Sequence, residues 1–270
     1  MKANTQLRLL ENPFEAHGIK YLSPSSLNLF IASSAKWVMR YLYKITEDPG
    51  PGAFRGTAIH HAIENFLNDP KISVEDCIEK AYVLFDNKIK NSFTTDGAEL
   101  DREIIAPTVR KALTAIDEFT KKNKAQYVKS ETKVKTTFDG IDVSIIGYVD
   151  ILFDSCFVDL KTTKFLGNSE NPRKDLRQVS FYSKALASNQ DGSQKAAWLV
   201  YVAPAKFAIV EVQNLAVLLN EFINAAHSLK NFLAVSDDKE KLASIIAPNF
   251  DRDYWSSFEV KEAKKIWKKL

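Results

Sequence analysis

Two aspartates and a lysine lie close together in a stretch that otherwise reads as buried strand: Gly147-Tyr148-Val149-Asp150, then Val158-Asp159-Leu160-Lys161. The aspartates are nine positions apart, and the lysine follows the second by two. Carboxylate oxygens and bound water suit a hard divalent cation such as Mg²⁺. Such a cation polarises a phosphate and lowers the pKa of a bound water, which is the chemistry of phosphodiester hydrolysis. Side chains on a strand alternate between faces, so Asp159 and Lys161 share one face, roughly 7 Å apart along the chain. Val158 and Leu160 face the other way, toward a core. Asp150 shares a face with Ile146, Tyr148 and Leu152. It comes beside Asp159 if the two strands pair as a tight hairpin or part around a turn.

An ionised aspartate in an apolar strand is costly unless something pairs with it, and two such aspartates repel one another. A cation between them removes the conflict. Lys161, a compact charge on a flexible stem, is then placed to orient a water or to neutralise developing charge. The plainer alternative is a salt bridge between Asp150 and Lys161, with Asp159 facing solvent at a strand end.

Two further clusters belong to helices. Gly56-Thr57-Ala58-Ile59-His60 opens one, with Glu64 a turn beyond His60 on the same face. A neutral imidazole can ligate a metal, although a lone histidine on a helix is more often a hydrogen-bonded core or surface residue. His61 points elsewhere. Small Gly56 and Ala58 let this helix approach another backbone closely. Gln178 and Tyr182, at i and i+4 on a later helix beside Lys174 and Arg177, suit contacts to phosphates or to Lys161. The competing reading is an ordinary amphipathic helix with a buried tyrosine.

The elements that must position these residues can be read from periodicity and breakers. Ser23 is an N-cap and Pro24 suits a first helical turn, giving a helix over 24–43. Asp48 to Gly52 reads as a loop. Helices follow over 57–67, 73–90 and 101–122, the last carrying the stripe Ile105, Val109, Ala112, Leu113, Ile116 and Phe119. Thr132, Val134, Thr136 and Phe138 alternate as in a half-buried strand. Asp139-Gly140 signals a two-residue hairpin into a second strand over 141–153. A third strand covers 157–161, then a helix 173–187, strands 197–202 and 207–212, and a mostly helical remainder over 213–270. This order predicts a mixed α/β sheet.

With 270 residues, 45% apolar and 26% charged, the chain has the composition of an ordinary globular protein. No apolar run approaches the roughly 18 residues of a membrane span, and Met1 to Leu10 lacks a signal-peptide layout. The two cysteines, Cys77 and Cys156, form neither a disulfide framework nor a metal-spacing motif. These features point to a cytoplasmic setting (a host's cytoplasm if the chain is phage-encoded) and to no membrane partner. A net charge of +3 does not by itself announce nucleic acid. Lys161, Lys164, Arg173, Lys174, Arg177 and Lys184 do cluster around the proposed site, although a solvated helix face is the more common fate of such residues.

Taken in order, Gly56-x-x-x-His60, Gly147-x-x-Asp150, Asp159-x-Lys161 and Gln178-x-x-x-Tyr182 resemble the PD-(D/E)xK nuclease superfamily. The resemblance is to its RecB-like branch, which includes the CRISPR-associated exonucleases. Leu22-Ser23-Pro24-Ser25-Ser26-Leu27, Arg40-Tyr41 and Glu131 extend it more weakly, to cover about 20–212. Each motif is short, and the weight lies in four of them in the right order on the right elements. The resemblance implies a restriction-endonuclease-like mixed central sheet flanked by helices, in one domain over 1–270. Its helical N-terminal part would be 20–122, its sheet core 123–212 and its helical C-terminal part 213–270.

The resemblance also implies roles. His60, Asp150, Asp159 and the Leu160 carbonyl would hold Mg²⁺ or Mn²⁺, with Lys161 as catalytic lysine. Gln178, Tyr182 and Arg177 would position DNA or shape the site, and Glu131 is a weaker candidate with a structural role as alternative. The activity implied is a DNA exonuclease of recombination, repair or replication. Many relatives carry four cysteines around an iron–sulfur cluster. Here Ser33 and Ser34 lie near the upstream position and no cysteine follows Cys156, so no cluster is expected. The C-terminal aromatics Phe250, Tyr254, Trp255, Phe258 and Trp267 would hold that segment by packing. No phosphate-loop motif is present, so a helicase or recombination protein acting with it would be a separate chain. Two other classes remain open at this point: a DNA-binding module that does not cut, and a hydrolase of other phosphates.

Overall fold

Ser23 starts the first long helix as its sequence predicts: its hydroxyl accepts from the Ser26 N–H, and the Ser26 hydroxyl accepts from the Ser23 N–H in return. The structure, a computed structural model, describes residues 9–167, 172–189, 195–251 and 255–268. In chain order its elements are α1 (Pro13–Ala16), β1 (Tyr21–Leu22), α2 (Pro24–Ala32), α3 (Ser34–Tyr41), α4 (Pro51–Asn68), α5 (Val74–Lys90), α6 (Ala98–Glu103) and α7 (Ile105–Asn123). Then come β2 (Tyr127–Thr136), β3 (Ser144–Phe153), β4 (Cys156–Thr162), α8 (Arg173–Asn189), β5 (Ala196–Val202) and β6 (Phe207–Glu211). The chain finishes with α9 (Leu215–Ala234), α10 (Lys239–Ser244) and α11 (Ser257–Trp267). The fold is mixed α/β, a mixed sheet flanked by helices.

The residues gather into two compact groups: Asp48–Val134 with Tyr148–Leu215, and Met1–Glu47 with Lys135–Gly147 and Ala216–Leu270. In the first group, β4 is central. It pairs antiparallel with β3 and parallel with β5, and β5 pairs antiparallel with β6. Strand β2 joins β3. The parallel β4–β5 step needs a crossover, which α8 supplies. Flanked by strands on both sides, β4 is buried from Cys156 to Leu160. Its Val158 and Leu160 join Ile151 and Phe153 of β3 in one hydrophobic cluster with Ala58, Ile59, Ala62 and Ile63 of α4 and the stripes of α5 and α7. Phe119 meets Phe153 and Trp198 with ring centroids 5.3 Å apart in each case.

In the second group, β1 pairs in parallel with the start of β3. The aromatics expected near the C-terminus pack in part. Phe250 meets Trp255 edge-on at 5.2 Å, Lys36 lies over the Trp255 ring, and the Trp267 indole donates to the Ala243 and Ile246 carbonyls. Phe258 is exposed, and Tyr254 lies outside the described residues.

Several boundaries differ from those expected. The helix over 24–43 is two helices, because Ser33 adopts an extended backbone; its N–H closes α2 and its hydroxyl caps α3. The 48–52 loop is shorter than expected: Pro51 occupies the first position of α4, where its missing N–H costs nothing. The helix over 101–122 is broken at Ile104. Asp139-Gly140 does form a tight turn, with Ile141 N–H bonded to the Phe138 carbonyl. The strands nevertheless stop at Thr136 and resume at Ser144. Lys230 of α9 donates to the Gly140 carbonyl and pairs with Asp142, so this connection is held from outside the ladder. Helix α1 and the two-residue β1 were not expected at all.

Candidate active site

The β3–β4 hairpin turns at Asp154-Ser155, and its register pairs Ile151 with Val158. One step further along that register sets Asp150 across from Asp159, as the tight-hairpin expectation requires. The strands then part: the Leu160 N–H donates to Asp150 Oδ2 at 2.6 Å. Asp159 has no exposed surface, so the plainer reading with Asp159 in solvent fails. Lys161 pairs with Asp159, Nζ to Oδ2 at 2.8 Å. That contact falls outside hydrogen-bonding geometry, and Oδ2 is a buried oxygen without a hydrogen bond.

Helix α8 covers this face. Gln178 donates to Asp159 Oδ1 at 3.2 Å and to the Tyr182 hydroxyl at 2.7 Å, and Lys161 donates to Gln178 Oε1 at 3.4 Å. Gln178 thus ties Asp159, Lys161 and Tyr182 together. Tyr182 is buried, with its ring against Phe157 and Phe181, so it shapes the site from within. Arg177 is half-buried one position earlier, where a helix turns its side chain roughly 100° away from Gln178.

Helix α4 brings His60, whose Nδ1 lies 3.8 Å from Asp150 Oδ1. Glu131 completes the group. One ligand atom each from His60, Glu131 and Asp150 lie within 4.8 Å of one another. Glu131 sits in β2 with φ +46°, a left-handed conformation that a non-glycine residue adopts only when its surroundings impose it. The inward–outward alternation runs on through it, with Ser130, Thr132 and Val134 on the covered side and Glu131 on the other. Glu64 lies 3.9 Å from His61, and both are half-buried. Gly56 does not admit a close backbone approach: a Cβ there would meet the Thr162 hydroxyl at an ordinary 3.5 Å.

The charges here are held under tension. Burial, then the neighbouring Asp150, pushes Asp159 up to about 7, and burial pushes Asp150 up to about 6. Burial and Asp150 also raise Glu131. Burial alone would lower Lys161, but Asp159 and Asp150 outweigh it and keep the ammonium above its ordinary range. Burial lowers His60, which leaves a neutral imidazole at neutral pH. Crowded carboxylates that resist ionisation and a neutral imidazole fit a hard divalent cation. The sequence contains only two cysteines, and both are packed in the hydrophobic cluster. They do not fit a four-cysteine iron–sulfur site.

Two buried polar groups escaped sequence reasoning. Arg55 pairs with buried Asp101, which also holds Lys164 Nζ at 3.0 Å. Lys164, like Arg173, Lys174 and Lys184, is exposed, and it reaches Asp101 from the surface. Asp175, in the first turn of α8, accepts from the Tyr201 hydroxyl at 3.0 Å. Its position one turn before Gln178 was the available signal.

A central mixed sheet with acidic residues and a lysine at its parting strands defines a nuclease-like class of site. Residues 21–263 match the PD-(D/E)XK nuclease superfamily, and the chain belongs to it. Among solved structures, a provisionally named exonuclease from Eubacterium rectale superposes with a TM-score of 0.57 at 12% identity, over 95% of this chain and 94% of that one. A second structure, of SSO0001, covers 73% of this chain and 84% of its own at 12% identity, but its TM-score of 0.31 is too low to bear on the fold. No curated protein matches the sequence at a significant level. Among the described residues, no helix is long and apolar enough to cross a membrane.

Proposed function

We propose that this protein is a metal-dependent DNA nuclease that works from strand ends, with Mg²⁺ or Mn²⁺ held by His60, Glu131, Asp150, Asp159 and the Leu160 carbonyl. The observation that carries the reading is the meeting of two groups at one place: His60, Glu131 and Asp150, and Asp159, Lys161 and Gln178. Asp150 and Asp159 join them across the β3–β4 register. When bound, the cation would polarise the scissile phosphate and acidify a water. Everything else falls to the chain.

Lys161 stays protonated, so its part is to offset charge on the phosphate rather than to accept a proton. Gln178 fixes the directions of both Asp159 and Lys161, and Tyr182 braces Gln178. His60, neutral, offers a nitrogen lone pair. Arg177, on the same helix, would contact DNA. The match over residues 21–263 takes in parts of both compact groups, which supports one nuclease domain. The name of the Eubacterium rectale relative supports action at ends over internal cleavage. A motor that unwinds DNA for it would be a separate chain.

End-labelled linear DNA and covalently closed circular DNA, each with Mg²⁺, Mn²⁺ or EDTA, test the reading. Label should be released from the linear substrate only, and only with metal. Equal cleavage of circles overturns the requirement for ends. Intact DNA under every condition overturns the nuclease reading.

A further inference from the structure

A cavity of about 560 Å³ opens beside Lys161. It lies where the parallel pair ends: Thr162 and Val202 are the last residues of β4 and β5, and the Thr163 N–H donates to the Val202 carbonyl. The crevice beyond the carboxyl ends of parallel strands is a recurrent ligand site in α/β folds. Lys161, Thr163, Phe165, Lys174, Lys206 and Phe207 contribute to its walls.

Charge and shape narrow the occupant. Among the described residues, Lys161, Lys174 and Lys206 line the cavity against one carboxylate, Asp175, and Lys161 is already paired with Asp159. That carboxylate is buried and accepts from the Tyr201 hydroxyl, so it is turned to the protein. The balance favours an anion. Phe165 is 85% exposed, an unusual position for a large apolar ring. Its backbone is not loose, because the Thr163 hydroxyl donates to the Phe165 carbonyl at 3.0 Å. Neither Phe165, Phe207 nor Lys206 takes part in holding Asp150, Asp159 or Lys161. An aromatic face and ammonium groups beside one wall of a phosphate-cleaving site suit a nucleotide with an unpaired base, since stacking needs a free π-face.

We propose that this cavity takes the nucleotide adjoining the scissile phosphate, with its base unpaired and stacked on Phe165 and its phosphate beside Lys206. The word scissile rests on the nuclease reading; the binding site does not.

The test is fluorescence anisotropy of the full chain in EDTA, with a labelled single-stranded dodecanucleotide and a blunt duplex of the same sequence. Phe165→Ala should weaken single-strand binding about tenfold, and Phe165→Trp should restore it. Lys206→Ala should weaken binding and reduce the dependence of log affinity on log salt by about one charge. In Mg²⁺, Phe165→Ala should raise KM for single-stranded substrate with kcat nearly unchanged. Unchanged single-strand affinity in both variants, or equal loss on the duplex with Phe165→Ala, overturns the proposal. An active enzyme with that result keeps the nuclease reading and loses the site. An inactive enzyme whose oligonucleotide binding depends on Phe165 and Lys206 keeps the site and loses the nuclease reading.

Discussion

Replacing Asp159 by asparagine should make the metal-free protein more stable at alkaline pH while abolishing its chemistry. Asp159 is fully buried and is held at about 7, against an ordinary 3.8. The folded state therefore binds a proton that the unfolded chain has already released. The favourable contribution is complete below about pH 4, is lost as pH rises through about 7, and stays lost above that. A difference of this size is worth about 4 kcal/mol at pH 8. The pairing with Lys161 is already contained in that difference, because it lowers Asp159 against the burial that raises it. About 4 kcal/mol corresponds to roughly 8–16 °C in Tm. Thermal unfolding in EDTA across pH 4 to 9 measures it. The gap between Asp159→Asn and wild type should open between pH 4 and 7 and then level off. Added Mg²⁺ at pH 8 should raise wild type and leave the variant nearly unmoved. A gap independent of pH, or a variant less stable than wild type at pH 8, refutes the reasoning.

Other residues test separate parts of the account. Glu131→Gln should weaken Mn²⁺ binding at least about tenfold by calorimetric titration, because one of three converging ligand atoms loses its charge. Gln178→Ala should lower kcat by about 10–100-fold with metal affinity little changed, since it frees Asp159 and Lys161 from a shared brace. Asp101→Ala should cost about 3–5 kcal/mol in urea unfolding, because it leaves Arg55 as a buried cation without its carboxylate.

The parts of the site legible in sequence are those that local geometry dictates. Strand alternation puts Asp159 and Lys161 on one face. The short turn at Asp154-Ser155 leaves one register for Asp150, and the i,i+4 spacing carries Gln178 and Tyr182 to the same side. Glu131 was harder to rank, because its convergence on His60 and Asp150 goes with a left-handed backbone inside a strand. Arg55, Asp101 and Lys164 lie far apart in sequence, and only the assembled fold brings them together. The break at Ser33 was hidden for a related reason. A serine that closes one helix and caps the next looks, in a polar and apolar pattern, like a residue inside a single longer helix.

The central claim is that Lys161, beside a metal held by neighbouring carboxylates, completes a phosphodiester-cleaving site. Purified wild type and Lys161→Ala, assayed on end-labelled linear DNA with Mg²⁺, test it directly. Wild type should release label only with metal, and a Lys161→Ala protein that still folds and still binds DNA should release none. Cleavage by Lys161→Ala at the wild-type rate would contradict it.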